Sequence, residues 1–299
     1  MSPRLRFHAP PRAEVGRDLV ARPPFDRWSD CAPLLTDAAW PSCAELDAWR
    51  RAASARDGIA RPAFVAQTPG LLADGLHYER RIAERGLLAT REGNWHDLFN
   101  ALVWLRQPLT KRALNARQVA DLAVAGPARR TRAQCALTHF DEAGVLVACA
   151  DPALLAQWDA HDWEGLFGRE RAAWGGRIAV QVFGHALLEH ALRPRQLVVA
   201  KALAFAAEAG FVAALAAGEA AAVRRLDAAA AARIEAGAWL ADPQELRPLP
   251  LSGIPGWHPG QAEEGFLRTA PCFRPLRPGR RYPPPPRLQT GGFRAGTFR

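Results

Sequence analysis

Apolar residues at positions 95, 98, 99, 102, 103 and 105 recur at helical spacing, so Trp95 to Leu105 reads as a helix with one buried face. Asn94 stands where an N-cap belongs, and Asp97 falls in the first turn, where a carboxylate suits the helix dipole. Pro108 stops that helix, and Thr110 is placed to cap a second one from Lys111 to about Leu122. The period then changes. Cys135 to Phe140 and Val145 to Cys149 flank Asp141-Glu142-Ala143-Gly144, which predicts an antiparallel β-hairpin over about 136–149. Arg177 to Phe183 reads as a strand, and Gly184 turns it into a helix from His185 to Leu192.

Weaker patterns fill the rest. Ser42 with Glu45 forms a capping box before a helix, Arg61–Gln67 reads as a short strand, and His77–Arg85 as a helical turn or two. Asp151-Pro152 starts another helix, and residues 162–174 look helical. The alanine-rich region 197–240 predicts two helices broken near Gly218. The expected class is therefore α+β: mostly helical, with a small sheet containing the hairpin and the strand at about 177–183. Pro- and Arg-rich residues 1–24 read as a poorly ordered N-terminal segment, 25–265 as one domain, and 266–299 as a partly disordered Pro/Arg-rich tail.

Charge changes this picture less than its sum suggests. The net +9 is concentrated after Glu264, where no acidic residue remains and eight arginines follow (268, 274, 277, 280, 281, 287, 294 and 299). The basic character thus belongs to the tail and not to a face of the body, so nucleic acid is suggested by the tail alone. Lys111 and Lys201 are the chain's lysines; every other basic residue is arginine. Five scattered cysteines without a CxxC argue against a disulfide framework or zinc ribbon. The N-terminus lacks the apolar core of a secretory signal, and no run reaches the roughly 18–20 apolar residues of a membrane span. These features predict a cytoplasmic protein.

Candidate chemistry gathers in three places. On a helix, His96 and Asn100 share a face, Asp97 is three residues from Asn100, and a returning helix could bring Lys111 and Asn115 to the same face. Such a group could hold a divalent metal or grip a small polar or anionic ligand; the plain alternative is capping and backbone hydrogen bonding. His185 and Glu189, one turn apart, form the second group, and a structural pair at a helix start accounts for them equally. His190 lies off that face, and a spacing of five between the histidines is not a zincin motif. His139, Asp141 and Glu142 form the third group, around the expected hairpin turn, where solvated carboxylates suffice as an explanation. No nucleophile elbow, P-loop or GxGxxG fingerprint is present.

GNWHDLFNALVWL followed by TKRALNAR, with FVAQ, YERRI, ALTHFDEAGV, GHALLEHAL and LPLSGIPGWHP, resembles an uncharacterised bacterial family, domain of unknown function 3025. The resemblance covers roughly residues 60–278 and implies no activity. Two functional expectations follow from the residues themselves. One is a hydrolase whose polar cleft uses His96, Asp97, Asn100 and Lys111, with His185 and Glu189 opposite and room for a divalent metal. In it His96 or Asp97 acts as base or ligand and Lys111 stabilises negative charge. The other is a non-catalytic binding or scaffolding protein that uses the Arg/Pro-rich tail for nucleic acid or an acidic partner.

Overall fold

The computed structural model describes residues 7–126 and 129–289. The short helix α1 (Ala32–Thr36) and the longer α2 (Cys43–Asp57) lead into strand β1 (Ala63–Ala66), α3 (Pro69–Leu72), α4 (Tyr78–Arg85) and β2 (Leu87–Thr90). Three long helices follow: α5 (Trp95–Arg106), α6 (Pro108–Ala125) and α7 (Arg132–Ala143). The chain continues through β3 (Gly144–Cys149), α8 (Pro152–Asp159), β4 (Ile178–Val182), α9 (His185–Ala191) and β5 (Val199–Ala206). It ends with α10 (Ala209–Ala216), α11 (Ala220–Glu235), β6 (Arg247–Pro250) and α12 (Phe266–Thr269).

The fold is α+β. β1 and β2 form a parallel pair, and the main sheet has the order β4-β3-β5-β6. β3 runs antiparallel to β4 and parallel to β5, and β5 antiparallel to β6. Every residue of β3 is buried, so its GVLVAC run shows no alternation, as expected of a strand covered on both faces. The expected strand at 177–183 is β4, and the Ser42–Glu45 capping box and the Asn94 cap are both formed.

Three sequence expectations are corrected. Residues 136–140 are not the first strand of a hairpin but part of α7, which opens on a Thr131–Gln134 capping box and buries Ala136, Leu137 and Phe140 on one helical face. The antiparallel partner of 144–149 is 178–182 instead. Gly144 supplied a turn signal because it lets the chain pass straight from helix to strand: a Cβ there would stand 2.8 Å from the Phe140 ring. Second, residues 199–206 are not helical but form a central strand; burial between neighbouring strands overrides the helical propensity of its alanines. Third, Thr110 does not cap α6. Asp227, 117 residues away on α11, accepts from Leu109 N at 3.0 Å and Thr110 N at 2.8 Å.

Both ends lie along the body where described. Trp95 Nε1 donates to Pro10 O at 2.9 Å, and Arg12 is buried beside the rings of Trp40 and Trp95. Toward the C-terminus, Cys272, Phe273 and Leu288 are buried, and Leu288 N donates to Ala206 O at 2.8 Å. Residues 1–6 of the expected loose segment and 290–299 of the expected tail lie outside the described residues. No helix among the described residues is long and apolar enough to cross a membrane.

Candidate functional site

Five helices, α4, α5, α6, α7 and α9, converge on a cavity of about 400 Å³. α5 contributes His96 from its first turn, α7 contributes Glu142 from its last, α9 begins with His185, and α6 contributes Lys111 and Asn115 from one face, four residues apart. Backbone contact fixes the junction of α7 and α9. Gly184 N donates to Gly144 O at 2.8 Å, and a Cβ at 184 would stand 2.5 Å from Glu142 O and 2.6 Å from Ala143 Cα. The missing side chain of Gly184 therefore lets Glu142 and His185 meet.

His96 Nε2 and His185 Nε2 are 3.0 Å apart, and Glu142 Oε2 lies 3.5 Å from His185 Nε2 and 3.9 Å from His96 Nε2. Among the described residues, these three side chains form the cluster whose ligand atoms could hold a metal ion. Zinc–ligand bonds of about 2.0–2.1 Å at tetrahedral angles place two ligand nitrogens about 3.3 Å apart, so the observed triangle needs shifts of only a few tenths of an ångström. On its other edge, His96 Nδ1 lies 3.2 Å from Glu189 Oε2, an arrangement that leaves Nε2 as the ligand atom and orients the ring. This hydrogen bond raises the His96 pKa above its usual value. Burial holds His185 well below its usual value, so its imidazole stays neutral and keeps a lone pair. His185 Nδ1 is buried without a hydrogen-bonding partner among the described residues, with Asp141 Oδ2 at 4.0 Å. A metal on Nε2 would leave the proton on Nδ1, on the side of Asp141. Burial also raises the Glu142 pKa.

Beside this triangle, Lys111 Nζ donates to Asp141 Oδ1 at 2.6 Å and to Asn100 Oδ1 at 2.7 Å. Asn100 Nδ2 in turn donates to the Tyr78 hydroxyl at 2.9 Å. Farther along α6, Asn115 Nδ2 donates to Glu79 Oε2 at 2.6 Å. Burial pushes the Glu79 carboxyl up to about 7. Asp97 lines the cavity, but its oxygens are taken by Arg91, Oδ1 by NH2 at 2.7 Å and Oδ2 by the backbone N at 2.6 Å.

The structure thus brings His96, Asn100, Lys111, His185 and Glu189 together and commits Asp97 to Arg91. Glu189 serves His96, not His185 as the helical spacing alone suggested. Exposed His139 faces Lys201 and Arg130 away from the cavity, and His190 stacks on Phe7. The sequence groups Asp141 and Glu142 with His139 around a turn and not with the cleft, and it does not single out Glu79. Glu142 was assigned to a solvated turn; read at helical spacing, Thr138, Asp141 and Glu142 share one face, and all three line the cavity. Glu79 sits within YERRI and carried no signal before its neighbour Asn115 was placed in space.

The arginines of the described tail are partly engaged by the body: Arg268 pairs with Glu164 at 3.3 Å, and Arg280 contacts the carbonyls of Gln244 and Leu246. Arg294 and Arg299 lie outside the described residues. No curated protein matches the chain, and no solved structure does. A family model, "Protein of unknown function (DUF3025)", matches residues 63–277, which includes every residue of the cavity named above, and the chain belongs to that family.

Proposed function

We propose that the chain is a metal-dependent hydrolase whose ion is held by His96, His185 and Glu142. The approach of the two imidazole Nε2 atoms to 3.0 Å, with a carboxylate oxygen closing the triangle on the wall of a cavity, carries this reading. Three protein ligands leave an open position, the arrangement of catalytic rather than structural sites. A divalent ion there would supply a Lewis acid and lower the pKa of a water bound to it. Glu189 orients His96, and Asp141 stands ready to accept from His185. Lys111 spends two of its three N–H groups on Asp141 and Asn100, which leaves one to stabilise negative charge developing on a substrate oxygen. Five unpaired cysteines support a cytoplasmic, reducing location.

Metal analysis of protein purified without chelators, with calorimetric titration of Zn²⁺ into stripped protein, tests the reading. About one zinc or manganese per chain, lost in His96→Ala, is the expected result. Iron as the sole tightly held metal would instead favour the oxygen chemistry that the same two-histidine, one-carboxylate donor set supports, and would sink the hydrolase reading.

A further inference from the structure

Charge around the cavity can be followed residue by residue. Four carboxylates line it, Glu79, Asp97, Asp141 and Glu142, against the two permanent cations Arg91 and Lys111. Arg91 is committed to Asp97 and Lys111 to Asp141. A divalent ion between His96, His185 and Glu142 would neutralise Glu142. Glu79 is then the carboxylate left over: it makes no ion pair among the described residues, and its one side-chain hydrogen bond comes from the uncharged Asn115 amide through Oε2. Oε1 has no hydrogen-bond partner among the described residues, and Glu79 lines the cavity. Nearby, the Tyr78 oxygen accepts from Asn100, which leaves its own O–H to donate. A wall with every cation paired and one carboxylate free is a poor site for phosphate or carboxylate groups and a good one for a cation.

We propose that the substrate is a small molecule bearing one positive charge, a primary ammonium or a guanidinium, which Glu79 receives while the bond to be cleaved lies at the metal centre. Asn115 fixes the carboxylate, and the Tyr78 hydroxyl accepts or donates beside it, so Glu79 is the specificity-determining residue. The volume of about 400 Å³ lies in the range of about 300–1,000 Å³ typical of small-molecule sites. This inference rests on the hydrolase reading for its account of Glu142, and the following experiment separates the two.

Two probes of one size, n-butylammonium and n-butanol, are titrated at about pH 8, above the Glu79 value of about 7, against zinc-loaded full-length protein by ligand-observed NMR. Zinc affinity is measured separately by competition with a chelator. Butylammonium is expected to bind at least about tenfold more tightly than butanol. In Glu79→Gln, which keeps an acceptor for Asn115, the preference for butylammonium is lost while zinc affinity is unchanged. Butanol binding as tightly as butylammonium, or a preference for butylammonium that survives in Glu79→Gln, overturns the proposal. The wild-type ranking decides even if the variant fails to fold. If zinc does not bind but the ranking and its loss in Glu79→Gln persist, the cation subsite stands and the hydrolase reading falls.

Discussion

Asp227 and His185 are both almost wholly buried polar side chains, 2% and 3% exposed, at the start of a helix. Asp227 reaches across from α11 and satisfies two free N–H groups of α6, and Thr110 Oγ1 also donates to its backbone carbonyl at 3.2 Å. It does not line the cavity that holds His96 and His185. His185 opens its own helix, leaves Nδ1 without a partner, and faces a second imidazole across 3.0 Å at the edge of a cavity. Burial opposes charge on both groups, pushing Asp227 up to about 6 and His185 well below its usual value. The shift in pKa therefore does not separate structural from functional groups. Their surroundings do: Asp227 closes its bonds on backbone amides, whereas His185 directs Nε2 at two other ligand-type atoms on the wall of a cavity.

Exchanging each for alanine should split the two roles. His185→Ala should lower zinc affinity by at least about a hundredfold, because loss of an outer-shell partner alone costs about 10–100-fold and this removes a ligand itself. Its urea-unfolding midpoint in the metal-free protein should move little. Asp227→Ala should do the reverse, costing about 2 kcal/mol of stability through two unsatisfied amides, with zinc affinity intact in the folded fraction. Equal stability losses in the two variants would dissolve the contrast.

The same comparison shows why part of the molecule was legible in the sequence. The cap, periodicity and Pro stop of α5 are local, so His96 and Asn100 could be placed on one face from spacing alone. Lys111 and Asn115 followed once a return helix was assumed. Asp227 was hidden because it caps a helix 117 residues away, a contact with no local signature. Glu142 was hidden for a different reason: DEAG before an apolar run looks like a turn, and the direct helix-to-strand passage at Gly144 depends on packing against Phe140 and Gly184. β5 was misread because alanine's helical propensity is a local term and its strand pairing is not. The central chemistry was readable where it lay within one helix and unreadable where two helices had to meet.

Stability against pH extends the contrast to Glu79, a buried carboxyl facing the cavity. Raised carboxyl pKa values in the folded state, about 7 for Glu79 and about 6 for Asp227, mean that the native protein holds protons that the unfolded chain has already released. Between roughly pH 5 and 7.5 Glu79 and Asp227 therefore contribute stability that falls as pH rises, on the order of 2 kcal/mol for Glu79 alone. His139, His161, His185 and His190, held low by burial, contribute stability that rises as the unfolded chain sheds its histidine protons across the same window. Carboxylates held low by arginines, such as Asp47 and Asp57, titrate below it and do not mask the slope. Chemical denaturation of the wild type and of Glu79→Gln across this range should show the wild type losing stability relative to the variant as pH rises. A stability difference that stays level or moves the other way would contradict the burial of Glu79.

The smallest expected effect probes the orientation of His96. Glu189 does not belong to the ligand triangle; its Oε2 lies 3.2 Å from the far ring nitrogen of His96. A carboxylate there holds the proton on Nδ1, keeps the Nε2 lone pair directed at His185 and Glu142, and makes the imidazole a better donor to a metal. In Glu189→Gln the side-chain oxygen can still accept that hydrogen bond, so the ring should stay in place, but the negative charge is gone. Zinc affinity should then fall by about tenfold, and Glu189→Ala, which also frees the ring, should fall further. The graded order of glutamate, glutamine and alanine is the signature of orientation plus charge. Identical affinities in all three would mean that His96 is positioned by the packing of α5 alone, and that Glu189 is as structural in its place as Asp227 is in its own.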